Sequence, residues 1–170
     1  MGARAVDGDD RDDAGQVNHG DRDMLGRPVL DLPQGVHPRD ASRVERKLVP
    51  AESAMAATTG YSRAVRVGPH VHVAGTAPIM PNDADPPADA YGQAKRCLEI
   101  IVAALEQLGA TPEHVVRTRL YVTAADDWPE VGRAHGEVFA SVKPASAMVV
   151  AGLLDPRWRV EIEVDAFVDS

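Results

Sequence analysis

Residues 160–168 read VEIEVDAFV, and the alternation in that stretch limits the possible folds more than any other feature of the chain. Successive side chains of a strand point to opposite faces, so Val160, Ile162, Val164 and Ala166 share one side and Glu161, Glu163 and Asp165 the other. One face must be covered by an apolar layer. The other needs water, counter-charges or a partner.

The layer is legible upstream. Two alternating runs, Ser62 to Val67 and Val71 to Thr76, joined at Gly68-Pro69-His70, predict a hairpin. In PADAYGQAKRCLEIIVAALEQLGA, residues Ala94, Cys97, Leu98, Ile101, Leu105 and Leu108 recur at three- and four-residue spacing. That spacing predicts an amphipathic helix, with Asp89 as N-cap and Gly109 as the C-terminal stop. HVVRTRLYVTA sets Val116, Thr118, Leu120 and Val122 against Arg117, Arg119 and Tyr121, a strand with two unlike faces. A second helix follows in DDWPEVGRAHGEVFASV, where an Asp127 cap answered by Glu130 precedes the stripe Val131, Ala134, Val138 and Val142. Strands over Ala145–Ala151 and Arg159–Val168 finish the chain.

The order strand, strand, helix, strand, helix, strand, strand predicts an α+β domain, and two helices cover only one face of such a sheet. The carboxylates of the last strand then either face water or line a cleft against further copies of the chain. In a cleft, burial and like-charge neighbours raise their pKa values.

Composition bounds the partners. A length of 170 residues suits one domain. The formal net charge of -8 argues against nucleic acid, whose binding draws on clustered Lys and Arg. The single cysteine, Cys97, excludes an internal disulfide framework, and it falls on the apolar stripe of the first helix as a core residue. No apolar run suggests a membrane span and no secretory leader is evident, so the cytoplasm is the expected location. Residues 1–42 carry nine Asp, five Arg and no Phe, Tyr or Trp. This balance predicts a mostly disordered extension ahead of a domain over 43–170, with RPVLDLPQGV as its one stretch apolar enough to dock.

Taken together, GYSRAVRVG, VHVAGTAPI, QAKRCLEIIVAALEQLGA, HVVRTRLYVT, DDWPEVGRAHGEVFA, KPASAMVV and VEIEVDAFV resemble the reactive intermediate deaminase (RidA, or YjgF) family over residues 44–168, in motif order, spacing and turn position. The resemblance implies a chorismate-mutase-like fold: a mixed sheet with two helices on one face, assembled as a homotrimer with a central barrel and small-molecule clefts between subunits. In deaminating members a Pro-Ala-Arg strand presents an arginine to the substrate carboxylate, and a glutamate of the last strand positions the water that hydrolyses an imine or enamine to a carbonyl compound and ammonia. Carried over, Glu161 stands at the glutamate position and Ser146 at the arginine position. Tyr61 matches the family's tyrosine near the first strand, and Gly75 and Thr76 match its cleft-lining turn. Met148 replaces a cysteine, and Gly132 an asparagine. Serine lacks both the charge and the bidentate fork of arginine.

Arg119 is a candidate replacement for that charge. The competing reading pairs it with Glu161 or Glu163 inside the barrel. His135 is either a cleft residue or a histidine on the helix surface. His70 and His72 have strand-metal spacing but no third ligand nearby, so neither a metal nor a cofactor is expected. Three functions follow: hydrolysis of an imine or enamine with altered substrate choice, non-catalytic binding of a metabolite by the same trimer, and, disfavoured by the acidity, an endoribonuclease or translation inhibitor. Deleting residues 1–42 is expected to leave the thermal melting temperature nearly unchanged, since they lack apolar residues to dock. A loss of several degrees shows instead that the segment is part of the fold.

Overall fold

In the computed structural model, residues 45–169 are described; the extension read over 1–42 lies outside them. The strands β1 (Arg46–Pro50), β2 (Ser62–Val67), β3 (His70–Thr76), β4 (Val115–Val122), β5 (Ala145–Val150) and β6 (Val160–Phe167) form one sheet in the order β1-β2-β3-β6-β4-β5. Helices α1 (Ala54–Thr59), α2 (Ala90–Gln107) and α3 (Trp128–Phe139), with three short 3-10 turns, complete the regular structure of the described residues. Only β4 and β5 run parallel, joined through α3; the other neighbours are antiparallel. The sheet is therefore mixed, with β6 at its centre.

The expected hairpin forms, although His70 opens β3 instead of closing the turn. Strand β1 and helix α1 were not anticipated. Helix α1 is short and depends on its ends: Ser53 Oγ accepts from the Ala56 amide, and Gly60 closes it in the left-handed conformation at φ 73°.

Helix α2 begins where expected, the Asp89 carboxylate accepting from the Gly92 amide at 2.7 Å. It ends in a Schellman turn, in which Gly109 N–H donates to Glu106 O and Ala110 N–H to Leu105 O, with Gly109 at φ 72°. Arg66 of β2 adds a donor to the last carbonyl, Leu108 O, at 2.6 Å. The Asp127 capping box does not form. Asp127 stands at the N-cap of α3 but makes no cap bond, because its nearly buried carboxylate is taken by the Arg159 guanidinium. Glu130 turns away to accept from the Tyr91 amide.

Both long helices lie on one face. Cys97, Leu98, Ile101, Ala104 and Leu105 of α2 and Val131, Ala134 and Phe139 of α3 close over Val71, Val73, Leu120, Val122, Val160, Ile162 and Val164, each no more than 4% exposed. Burial of a side chain the size of Leu, Ile or Phe stabilises by roughly 1.5–3 kcal/mol. The same burial holds Cys97 as an inert thiol, its pKa pushed up chiefly by desolvation. Gln93, fully buried, donates to Pro87 O and Arg157 O and accepts from Arg159 N, which ties α2 to the loop ahead of β6.

The opposite face and the β5 edge are open. Val149 and Val150 are 50% and 60% exposed, and nearly every residue of β5 is exposed. A strand left with unpaired amides and exposed valines ordinarily gains a cover. Among the described residues no helix is long and apolar enough to cross a membrane. Gly109→Ala is expected to destabilise by about 1–2 kcal/mol, the cost of a side chain in the left-handed conformation, and its new Cβ would stand 3.2 Å from Arg66 Nη1. Thermal melting checks this; an unchanged transition shows that α2 does not need the glycine stop.

Candidate functional site

Alternation in β6 places Glu161, Glu163 and Asp165, all half-buried, on the face away from the helices. Such carboxylates, two residues apart, repel one another unless cations intervene. Arg119 of β4 bridges the last two, with Nη1 3.2 Å from both Glu163 Oε2 and Asp165 Oδ2. His72 of β3 meets Asp165 at 2.8 Å. The Tyr121 hydroxyl makes a short donation to Glu163, which raises the tyrosine's own pKa. Arg119 is thus held by Glu163 and Asp165, not by Glu161.

Among the described residues Glu161 has no such partner. Burial and the neighbouring Glu163 raise its pKa, and the Arg63 guanidinium partly opposes the rise. Its carboxyl group lies over the backbone of Gly75. A Cβ there would collide with Glu161 Oε1 and lie 3.2 Å from Cδ, so the glycine leaves room for the carboxyl group in this position. The β3–β6 register shifts between Val73 and Thr76, a bulge that carries Gly75 past the carboxylate. Arg63 of β2 pins the bulge, its Nη1 donating to Gly75 O at 3.0 Å and Thr76 Oγ1 at 2.8 Å. Thr76 in turn donates to Ala74 O.

Beside this cluster lies an open groove of about 220 Å³, lined by Glu161, Glu163, Tyr121 and residues 151–154. It contains no grouping of metal ligands: among the described residues no three His, Cys, Asp or Glu come together in a way that could hold a metal ion.

The structure brings Glu161, Gly75 and Thr76 together and sets Arg119 on the same face. Ser146 and Met148 lie elsewhere. Ser146 is paired with Thr118 on the helix side of the sheet, accepting from Thr118 Oγ1 at 2.9 Å. Thr118 also meets His135 Nε2 at 3.0 Å. His135 is therefore a half-buried histidine packed toward the sheet, its pKa lowered by burial, and not a histidine on the outer helix surface. Met148 packs against the core. With β4 between β5 and β6, Ser146 and Glu161 cannot meet within one chain. Tyr61 precedes β2, its hydroxyl 2.9 Å from Ser53 Oγ at the start of α1.

Sequence reasoning missed Arg63. Periodicity places it on the face of Val65 and Val67, but only the pairing of β2 with β3 reveals that it ends beside Gly75.

The chain is similar to known proteins. The family model described as Endoribonuclease L-PSP matches residues 51–168. An uncharacterized protein of Streptomyces coelicolor is 39% identical over 115 residues, 65% of this chain and 86% of the relative. The 2-iminobutanoate/2-iminopropanoate deaminase of Escherichia coli is 28% identical over 123 residues, 71% of this chain and 96% of the relative. A crystal structure from Mycobacterium tuberculosis, described as a member of the YjgF/YER057c/UK114 family, superposes with a TM-score of 0.67 at 42% identity, covering 73% of this chain and 100% of the other. By sequence model, relatives and fold, this chain belongs to the Endoribonuclease L-PSP family, the family of the YjgF and RidA proteins.

Proposed function

We propose that the protein hydrolyses a small imine or enamine to a carbonyl compound and ammonia, in a cleft completed by neighbouring subunits of a homotrimer. The observation that supports this most is Glu161: a half-buried carboxyl group without an ion-pair partner among the described residues, set against a glycine bulge beside an open groove. Strained or desolvated groups that a fold could have replaced with an apolar side chain mark functional sites. As a carboxylate, Glu161 accepts a proton from water as the water oxygen adds to the imine carbon. Return of that proton to nitrogen gives the carbinolamine, and transfer of its hydroxyl proton to the amino group, again through the carboxylate, expels ammonia and leaves the carbonyl.

The homotrimer is supported by the open face, the exposed β5 edge and the separation of Ser146 from Glu161 inside one chain. Adjacent subunits can unite two sites that a single sheet holds apart. Ser146 in place of an arginine favours a second reading, a trimer that binds a metabolite in the cleft without turning it over. Endoribonuclease activity or translation inhibition is the weakest reading, since the open face carries three carboxylates and the chain a net charge of -8.

Multi-angle light scattering is expected to return three times the chain mass; a stable monomer ends the intersubunit cleft. Wild-type turnover of 2-iminobutanoate and 2-iminopropanoate is expected to be low, and Ser146→Arg to raise it at least about tenfold by restoring a charge-assisted contact. Glu161→Gln should abolish activity yet melt no lower than wild type at neutral pH. The sign follows from linkage: a carboxyl with a raised folded pKa loses stability as pH rises from its unfolded pKa through its folded one, and glutamine escapes that loss. For the same reason the acid limb of kcat/KM should fall above the ordinary glutamate pKa. If neither wild type nor Ser146→Arg hydrolyses any imine tested, the metabolite-binding reading replaces the catalytic one.

A further inference from the structure

Helix α2 carries more apolar surface than the core uses. Ala94, Cys97, Ile101, Ala104 and Leu105 are spent on the core, yet Val102 and Ala103 stand outside that buried set, Val102 half-buried and Ala103 exposed. With Leu98, and with Ala134 and Val138 of α3, they floor an open groove of about 380 Å³ between the two helices, on the helix side of the sheet and away from Glu161. The groove follows α2 from Lys95 to Glu106, about three turns or 16 Å.

Its charges lie along the rim. Lys95 Nζ stands 3.7 Å from Glu137 Oε2 and closes one end as an ion pair. Glu99, paired with Arg96, and Glu106 border the rest, so three carboxylates line the groove against one ammonium. Glu106 falls in the last turn of α2, which carries no basic residue. A carboxylate there opposes the negative end of the helix dipole, and helix stability gives no reason for the placement. A cation brought by a partner would satisfy the carboxylate and the dipole together, and the net charge of -8 favours the approach of such a partner. The shape narrows the choice further. An open trough three turns long, apolar along its floor and charged along its rim, matches the apolar face of a helix, whose side chains at i, i+4 and i+7 fall on one line.

We propose that the α2–α3 groove docks a cationic amphipathic helix of another protein, with apolar residues at i, i+4 and i+7 filling the floor and a Lys or Arg reaching Glu106. The sheet separates this surface from the Glu161 site, and the two can be lost independently.

The test uses the full chain and three labelled 15-residue peptides: a helix with a Leu face and Lys elsewhere, the same helix with Glu for every Lys, and a scrambled Leu/Lys peptide with no apolar face. Fluorescence anisotropy is expected to show the Leu/Lys helix binding at least about tenfold more tightly than either control. Methyl resonances of Val102 and Val138 should shift on binding. Val102→Asp should weaken the Leu/Lys helix at least about tenfold, the cost of a charge in the floor. Glu106→Lys, a substitution at an exposed position, should weaken that helix severalfold and strengthen the Leu/Glu helix; this charge swap decides the matter if Val102→Asp fails to fold. No binding, equal binding of the scrambled peptide, shifts confined to the carboxylate face of β6, or a Glu106→Lys chain that keeps the wild-type preference each overturn the proposal. Concentration-dependent shifts of Val102 and Val138 without peptide assign the groove to a second copy of the chain and overturn it as well.

Discussion

The contact between β6 and the helical layer sets the terms for everything else in this domain. Val160, Ile162, Val164 and Ala166 are each at most 2% exposed beneath the helices, and no register that buries them can avoid turning Glu161, Glu163 and Asp165 outward together. Hydrophobic burial on one side of the sheet thus concentrates negative charge on the other. What distinguishes the three carboxylates afterwards is the supply of partners. Arg119, His72 and Tyr121 attend to Glu163 and Asp165, in half-exposed pairs that add little stability individually. Glu161 is left with a glycine beneath it and a distant cation.

That arrangement explains the irregularity at the end of β3. A side chain at position 75 would displace the Glu161 carboxyl from its present place. The bulge and the missing Cβ admit it, and Arg63 holds the bulge in place. Gly75, Thr76 and Arg63 are thus tied together beside the carboxylate, and the carboxylate in its half-buried state costs the fold something that an apolar residue would not. Proteins accept such costs at sites of function.

On the helix side, Thr118 joins Ser146 and His135 in one polar cluster at the β4–β5 border, close to the exposed edge.

Local chemistry was readable because it depends on neighbours in the chain. The period-two pattern of β6, the Asp89 cap and Gly109 stop of α2, the hairpin around Gly68 and the motif order that marks the family all follow from spacing and residue type alone. Tertiary competition decided the rest. Asp127 carried the mark of a capping box, yet Arg159, arriving from a distant strand, offered its carboxylate a full charge in place of a backbone amide. The resemblance assigns Ser146 and Glu161 to one kind of cleft, but only the order β6-β4-β5 and the pairing of Ser146 with Thr118 show that within one chain they stand on opposite faces of the sheet. Arg63 looked like one more strand arginine. Whether a cation is paired, bridged or left facing a glycine depends on strand register across the sheet, and register is fixed by the packing of the whole apolar face, which no local stretch of sequence contains.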